Sequence, residues 1–207
     1  MPLRRLFVLG DSISIQYGPY LEQFLAGRFQ YARKTGMEPA LQNLDPPHDA
    51  NGRDSTHVLI YLRAMQAHGG IPADALLLNC GLHDLKTDPA TGEKQVPPDL
   101  YESNLLTIMQ LVGDMGLKLV WVRTTPVDDA VHNTRPGMEF YRYADDCEIY
   151  NAIADDLMRA FKQPSIDLYG FTRRLGSDLY CDHVHFHEAI REKQAAYIAG
   201  WLEAHFI

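Results

Sequence analysis

Three residues from opposite ends of this chain have the types that nucleophilic catalysis requires. Ser12 stands in Gly10-Asp11-Ser12-Ile13, directly behind the apolar run Leu6-Phe7-Val8-Leu9. A short β-rich run that stops at glycine and then offers an acid and a hydroxyl reads as a strand feeding a helix. Ser12 then sits at a helix N-terminus, where free backbone N–H groups and the macrodipole favour negative charge. A serine so placed attacks a carbonyl while its own N–H helps to hold the oxyanion. Taken alone, capping is the simpler role, since Ser and Asp are common helix caps.

The far end of the chain shifts that balance. Asp182-His183-Val184-His185 precedes the helix-like run Glu188 to Phe206. An acid and an imidazole three residues apart lie on one side of a helical turn, within hydrogen-bonding reach. A serine nucleophile needs a base, and the base needs a carboxylate that fixes its tautomer. Ser12, His185 and Asp182 provide all three roles.

With these blocks the chain resembles the SGNH hydrolase superfamily, the GDSL esterases and lipases. The family carries a Gly-Asp-Ser block near its N-terminus and an Asp-x-x-His pair near its C-terminus. Two blocks between them contribute a glycine N–H and an asparagine amide to the oxyanion hole. The glycine block corresponds to Asn51-Gly52-Arg53-Asp54-Ser55, and the block normally written Gly-x-Asn-Asp corresponds to Gly81-Leu82-His83-Asp84. The resemblance therefore implies a hole formed by Ser12, Gly52 and His83, with His83 in the asparagine's place. A neutral imidazole donates one N–H. Asn79 shares a strand face with Gly81 and is a second amide nearby.

The elements that must position these residues alternate along the chain, as in an α/β domain with a parallel sheet. Strands are expected at Leu6–Leu9, Pro39–Leu44, Ala75–Asn79, Leu117–Arg123 and Ser165–Leu168. Helices are expected at Pro19–Phe29, from a Ser55 or Thr56 cap to His68, at Pro98–Met115, at Phe140–Phe161 and at Glu188–Phe206. The architecture implied is a three-layer α/β/α sandwich around a five-stranded parallel sheet, flavodoxin-like, in one domain spanning residues 1–207. Ligands of such sheets bind beyond the carboxyl ends of the strands. Ser12, His83 and Thr124-Thr125 all leave from such ends.

Composition narrows the function. A chain of 207 residues builds one core rather than two. A net charge of −8 argues against nucleic acid or an anionic membrane as partner. Three cysteines, Cys80, Cys147 and Cys181, are too few and too scattered for a disulfide framework. The apolar run before Gly10 is too short for a signal h-region, so a cytoplasmic location and no membrane insertion are expected. The alternating His183, His185 and His187 suggest metal ligation, but no His-Glu-x-x-His pattern accompanies them. His185 is already assigned to the serine, so no metal or cofactor is expected. A nucleotide-binding reading fails for want of Gly-x-Gly-x-x-Gly behind the first strand.

The resemblance implies hydrolysis of carboxylic esters or thioesters. The absence of a long apolar lid-like helix and the polar loops Asp45–Asp54 and Asp128–Glu139 favour short-chain or acetyl esters, including those of carbohydrates. Asp11, Asn79, Thr125 and His132 are the candidate substrate-binding residues. The alternatives are a lysophospholipase or acyl-thioesterase on the same scaffold, and a ligand-binding protein whose altered oxyanion hole no longer supports turnover.

Overall fold

The computed structural model describes residues 3–44 and 49–206. Five parallel strands form one sheet: β1 (Arg4–Leu9), β2 (Phe29–Arg33), β3 (Ala75–Leu78), β4 (Lys118–Val122) and β5 (Ser165–Ile166), in the order β2-β1-β3-β4-β5. The central strands are runs of Leu, Val and Trp buried on both faces, as a sheet covered by helices on each side demands. Leu6 to Leu9 of β1 pair with Ala75 to Leu78 of β3. Among the described residues, no helix is long and apolar enough to cross a membrane.

The helices are α1 (Ser12–Leu25), α2 (Met37–Gln42), α3 (Ser55–Ala67), α4 (Pro98–Asp114), α5 (Asp129–His132), α6 (Ala144–Ala160), α7 (Leu168–Arg173) and α8 (Glu188–Phe206). They pack in two groups, α1 with α8 and α7, and α3 with α4 and α6. Right-handed crossovers require this division. The chain moves from β1 outward to β2, then reverses and runs through β3, β4 and β5, which puts α1 on one face and the later crossover helices on the other. The reversal opens a crevice between β1 and β3, the place where such sheets bind ligands.

Several expected boundaries are corrected. The second strand is Phe29–Arg33, and Pro39–Leu44 instead belongs mostly to α2. Pro39 lies in the first turn of α2, where its missing N–H has no helical partner to lose. The first helix begins at Ser12, seven residues before Pro19, because Asp11 caps it, and it continues through Pro19 to Leu25. The cap of α3 is Asp54, whose carboxylate accepts the N–H of His57, rather than Ser55 or Thr56. The α6 helix starts at Ala144 rather than Phe140, and Leu168 opens α7 rather than closing β5.

Candidate active site

Ser12 is the first residue of α1 and is set by the turn that follows β1. Asp11 supplies the cap: its Oδ1 accepts the N–H of Ile13 at 3.0 Å. The Ser12 N–H is left without an acceptor among the described residues, at the end of the helix where negative charge is favoured. Ser12 is only 7% exposed.

His185 reaches Ser12 from a tight loop ahead of α8. Tyr180 and Phe186 bridge across this loop, and the N–H of Cys181 donates to the carbonyl of His185 at 2.8 Å. Fully buried Phe186 anchors its base. Asp182 folds the intervening residues into a side-chain turn: its Oδ1 accepts the N–H groups of Val184 at 2.8 Å and His185 at 2.7 Å. The acid and the imidazole therefore meet across a loop, not along the helical turn that their spacing suggested. The spacing of three brings them together in either geometry.

The three side chains form a continuous hydrogen-bond chain. Asp182 Oδ2 lies 2.7 Å from His185 Nδ1, and His185 Nε2 lies 2.8 Å from Ser12 Oγ. A proton on Nδ1 leaves Nε2 as the acceptor that faces the hydroxyl. Partial burial works against the charged form of Asp182. The ring and backbone N–H groups of His185 and the N–H of Val184 outweigh it and hold the carboxyl well below the usual carboxylate range. The carboxylate thus stays ionised and keeps the imidazole oriented. Such a chain can abstract the hydroxyl proton as Oγ adds to an electrophile.

A pocket of about 240 Å³ opens over this chain and is lined by Ser12, His185, His183 and His83 together with Lys86 and Arg142. His83 enters it from the turn after β3. Gly81 makes that turn possible: a Cβ there would stand 2.2 Å from the hydroxyl of Thr124, which itself donates to the Cys80 carbonyl. The His83 imidazole has no hydrogen-bond partner among the described residues. Burial, then the charges of Lys86, Arg142 and Arg53, push its pKa well below the usual value, so the ring is neutral and carries one N–H.

Other expected site residues lie elsewhere. The Gly52 N–H donates to the Gly10 carbonyl at 2.7 Å, so it is not open to an oxyanion, and the Arg53 N–H is likewise bound to Asn51 Oδ1 at 2.8 Å. The glycine is required here for close packing, because a Cβ would come within 3.0 Å of the Gly10 oxygen. Both amide protons of Asn79 are taken, by the Val122 carbonyl at 2.8 Å and Thr124 Oγ1 at 3.3 Å. Asp11, Asn79 and Thr125 surround a separate cavity of about 10 Å³, no larger than one water site, so none of them lines the pocket over Ser12. His132 is fully buried behind His183, with the two Nδ1 atoms 2.8 Å apart. Burial and the neighbouring Arg142 lower its pKa to about 3. Of the two polar loops, Asp128–Glu139 contributes Arg135 and the residues after it, while Asn133 bonds the backbone of Arg142. Residues Asp45, Pro46, Pro47 and His48 of the other lie outside the described residues.

Asp182, His183 and His185 are the one group of donor side chains close enough to hold a metal among the described residues. Both ring nitrogens of His185 are already engaged, Nδ1 with Asp182 and Nε2 with Ser12. The lining residues that sequence reasoning missed are Lys86 and Arg142, while His183, singled out from the sequence only as a possible metal ligand, also lines the pocket. Arg142 was hidden inside what read as a helix from Phe140, where a charged residue is expected to face solvent.

Solved structures match nearly the whole chain. A lipase/acylhydrolase from Enterococcus faecalis superposes with a TM-score of 0.72 at 15% identity, covering 98% of this chain and 96% of that one. A GDSL-like lipase from Bacteroides thetaiotaomicron gives 0.70 at 15% identity, over 97% and 88% of the two chains. The fold is that of the GDSL lipases. An acetyl xylan esterase shares this GDSL fold with a TM-score of 0.69 at 13% identity, over 96% and 99% of the two chains. The sheet order 2-1-3-4-5 observed here is the order expected of that fold. No protein-family model matches the sequence, and no curated protein does either.

Proposed function

We propose that this protein hydrolyses carboxylic esters through a covalent acyl-enzyme, with Ser12 as nucleophile, His185 as general base and acid, and Asp182 as the group that orients His185. The observation that carries the reading is the unbroken hydrogen-bond chain from Asp182 through His185 to Ser12 at a helix N-terminus. Ser12 Oγ adds to the ester carbonyl as its proton passes to His185 Nε2. The tetrahedral oxyanion is held by the Ser12 N–H and the His83 imidazole N–H, neither of which has a hydrogen-bond partner among the described residues. His185 then returns the proton to the departing alkoxide, leaving the acyl group on Ser12. Water activated by the same imidazole adds to the acyl carbonyl, and collapse of that second intermediate releases the acid and restores the hydroxyl.

The small pocket supports a short acyl group, acetyl above all. Its polar lining supports a hydroxyl-rich leaving group, and the acetyl xylan esterase of the same fold makes a carbohydrate ester a natural candidate. The occupied Gly52 N–H favours one rival, a ligand-binding protein with too few oxyanion donors to turn its ligand over. Hydrolysis of a small chromogenic acetate separates the two. The wild type is expected to turn it over and Ser12→Ala is not. A fluorophosphonate is expected to label Ser12 alone. Equal activity in the wild type and Ser12→Ala, with contaminating esterases excluded, overturns the assignment.

A further inference from the structure

The lining of the pocket over Ser12 carries more positive than negative side chains. Lys86, Arg135 and Arg142 line it, and exposed Glu139 is the single carboxylate among its described lining residues. Arg142 is 4% exposed, and its Nη1 has no hydrogen-bond partner. Its Nε donates to the Leu82 carbonyl at 2.7 Å, which fixes the guanidinium beside His83. Lys86 has neither a hydrogen-bond acceptor nor an ion-pair partner for its ammonium among the described residues. Both cations lie against the ring of Phe140, Lys86 Nζ at 4.2 Å and Arg142 Cζ at 4.9 Å from its centroid. Asp11 and Asp182 attract Arg142 through space without pairing with it.

A buried cation with no paired anion is strongly unfavourable. Half-buried Lys86 faces the same ring as Arg142 and repels it, and partial burial with the field of Arg142 lowers the Lys86 pKa to about 8. A chain of net charge −8 has acids enough to pair them internally, yet leaves them open beside the serine. Esters in general do not need this arrangement, because an ester carbonyl has no charge in the ground state. An anionic group on the substrate does, and the free edge of a guanidinium with an adjacent ammonium is the chemistry that binds a carboxylate or a phosphate.

We propose that the substrate of this site is an anionic ester, whose carboxylate or phosphate is held by Arg142 and Lys86 while its ester carbonyl lies over Ser12. The proposal rests on the esterase reading for its chemistry but not for its anion site. Substrate selection then comes from the charge on the leaving or acyl portion, and the neutral His83 ring beside Arg142 is left to the oxyanion.

Matched acetate esters test it: the 2-, 3- and 4-acetoxybenzoates, 4-acetoxyphenyl phosphate and the neutral acetoxybenzamides, each rate normalised to spontaneous hydrolysis. The wild type is expected to prefer at least one anionic ester in kcat/KM by about tenfold or more, the scale of one charge-assisted hydrogen bond. The benzoate and phosphate arms tell which anion fits. Lys86→Met is expected to reduce that preference by about tenfold. Arg142→Lys, which keeps the buried charge and loses the planar fork, is expected to reduce it as well. Equal rates on anionic and neutral esters by an active wild type overturn the proposal and leave the esterase reading standing. So does an Arg142→Lys variant that loses kcat equally on both, which would make Arg142 an oxyanion donor. If no ester is hydrolysed, calorimetry with the acetoxybenzoates and benzamides decides. Tighter binding of the anion, weakened by Lys86→Met, supports the anion site while the esterase reading falls. No difference in binding overturns the anion site too.

Discussion

The two walls of the pocket are built on opposite principles. On one side, Asp182, His185 and Ser12 satisfy each other, and the loop that holds them is tied down by Asp182 and the Tyr180–Phe186 bridge. On the other, His83, Lys86 and the Nη1 of Arg142 present donors with no acceptor among the described residues. Under the proposed mechanism, the closed wall is ready to move a proton before any ligand arrives. The open wall has polar groups that are satisfied only when something negative lies between them, whether a substrate anion or a transition-state oxygen. A site divided in this way keeps its stored instability on the side where binding and charge development relieve it.

The contrast is sharpest at Ser12. Ser12→Ala is expected to lower kcat by at least about 10³-fold while leaving the thermal midpoint close to wild type, and His185→Ala is expected to cost a similar factor because such residues act as a unit. Single-turnover kinetics and a melting curve on the same preparations check both. Asp182→Asn keeps the base but orients it poorly and is expected to cost less than either. A loss in Asp182→Asn as large as in Ser12→Ala would mean that the carboxylate does more than orient.

On the open wall the expected effect is smaller and of another kind. An oxyanion donor acts in the transition state, so His83→Ala is expected to lower kcat by ~10²-fold with little change in KM. His83→Asn is expected to recover part of the loss where the amide reaches the same point. An unchanged kcat in His83→Ala would remove His83 from the oxyanion hole and leave the Ser12 N–H on the facing wall as the proposed donor.

Much of the closed wall and of the sheet was legible from residue order. The runs that became β1, β3 and β4 are apolar on both faces, and only a doubly covered sheet accommodates them. The Asp182–His185 spacing survived an error about its local geometry, because a loop and a helical turn both join residues three apart. The edge strand β2 was not legible. Its Phe29, Gln30, Tyr31, Ala32 and Arg33 are alternately buried and open, and in so short a segment Phe29 reads as the end of the preceding helix while the rest gives no strand signal. The substrate residues were missed for a different reason. Strand alternation tells which face Asn79 occupies, but not that the Val122 carbonyl of the neighbouring strand has taken its amide. Arg142 and Lys86 carry no local signature at all, because their meaning comes from what fails to pair with them.

Two changes beneath the open wall probe its foundations with smaller effects. Gly81→Ala would force a Cβ against Thr124, which is held by Cys80 and Asn79, and is expected to destabilise the fold by about 1–3 kcal/mol in denaturant titration. Asp84 is expected to shape the pH dependence of stability. Burial raises its pKa from 3.8 to about 7, despite the hydrogen bond it accepts from Ser55 N. Between about pH 4 and pH 7 the folded chain keeps a proton that the unfolded chain has released. The contribution of this group is therefore full below pH 4, declines across that window and levels off above 7. Asp84→Asn is expected to flatten the decline in thermal midpoint between pH 4 and 7. An identical slope in the two proteins would show that Asp84 is ionised throughout.

The serine and its base are 173 positions apart in the chain. During synthesis at about 5–20 residues per second, roughly 10–35 s separate the two residues as they emerge. In that interval the Ser12 hydroxyl has no His185 imidazole to accept its proton. The partner arrives just ahead of α8, the helix that docks on α1 and closes that face of the sheet. Under the proposed mechanism, acquisition of reactivity is thereby tied to the docking of α8 on α1. An unfinished chain carries an inert alcohol, and a time course of fluorophosphonate labelling during cell-free translation would read folding directly as the onset of chemistry.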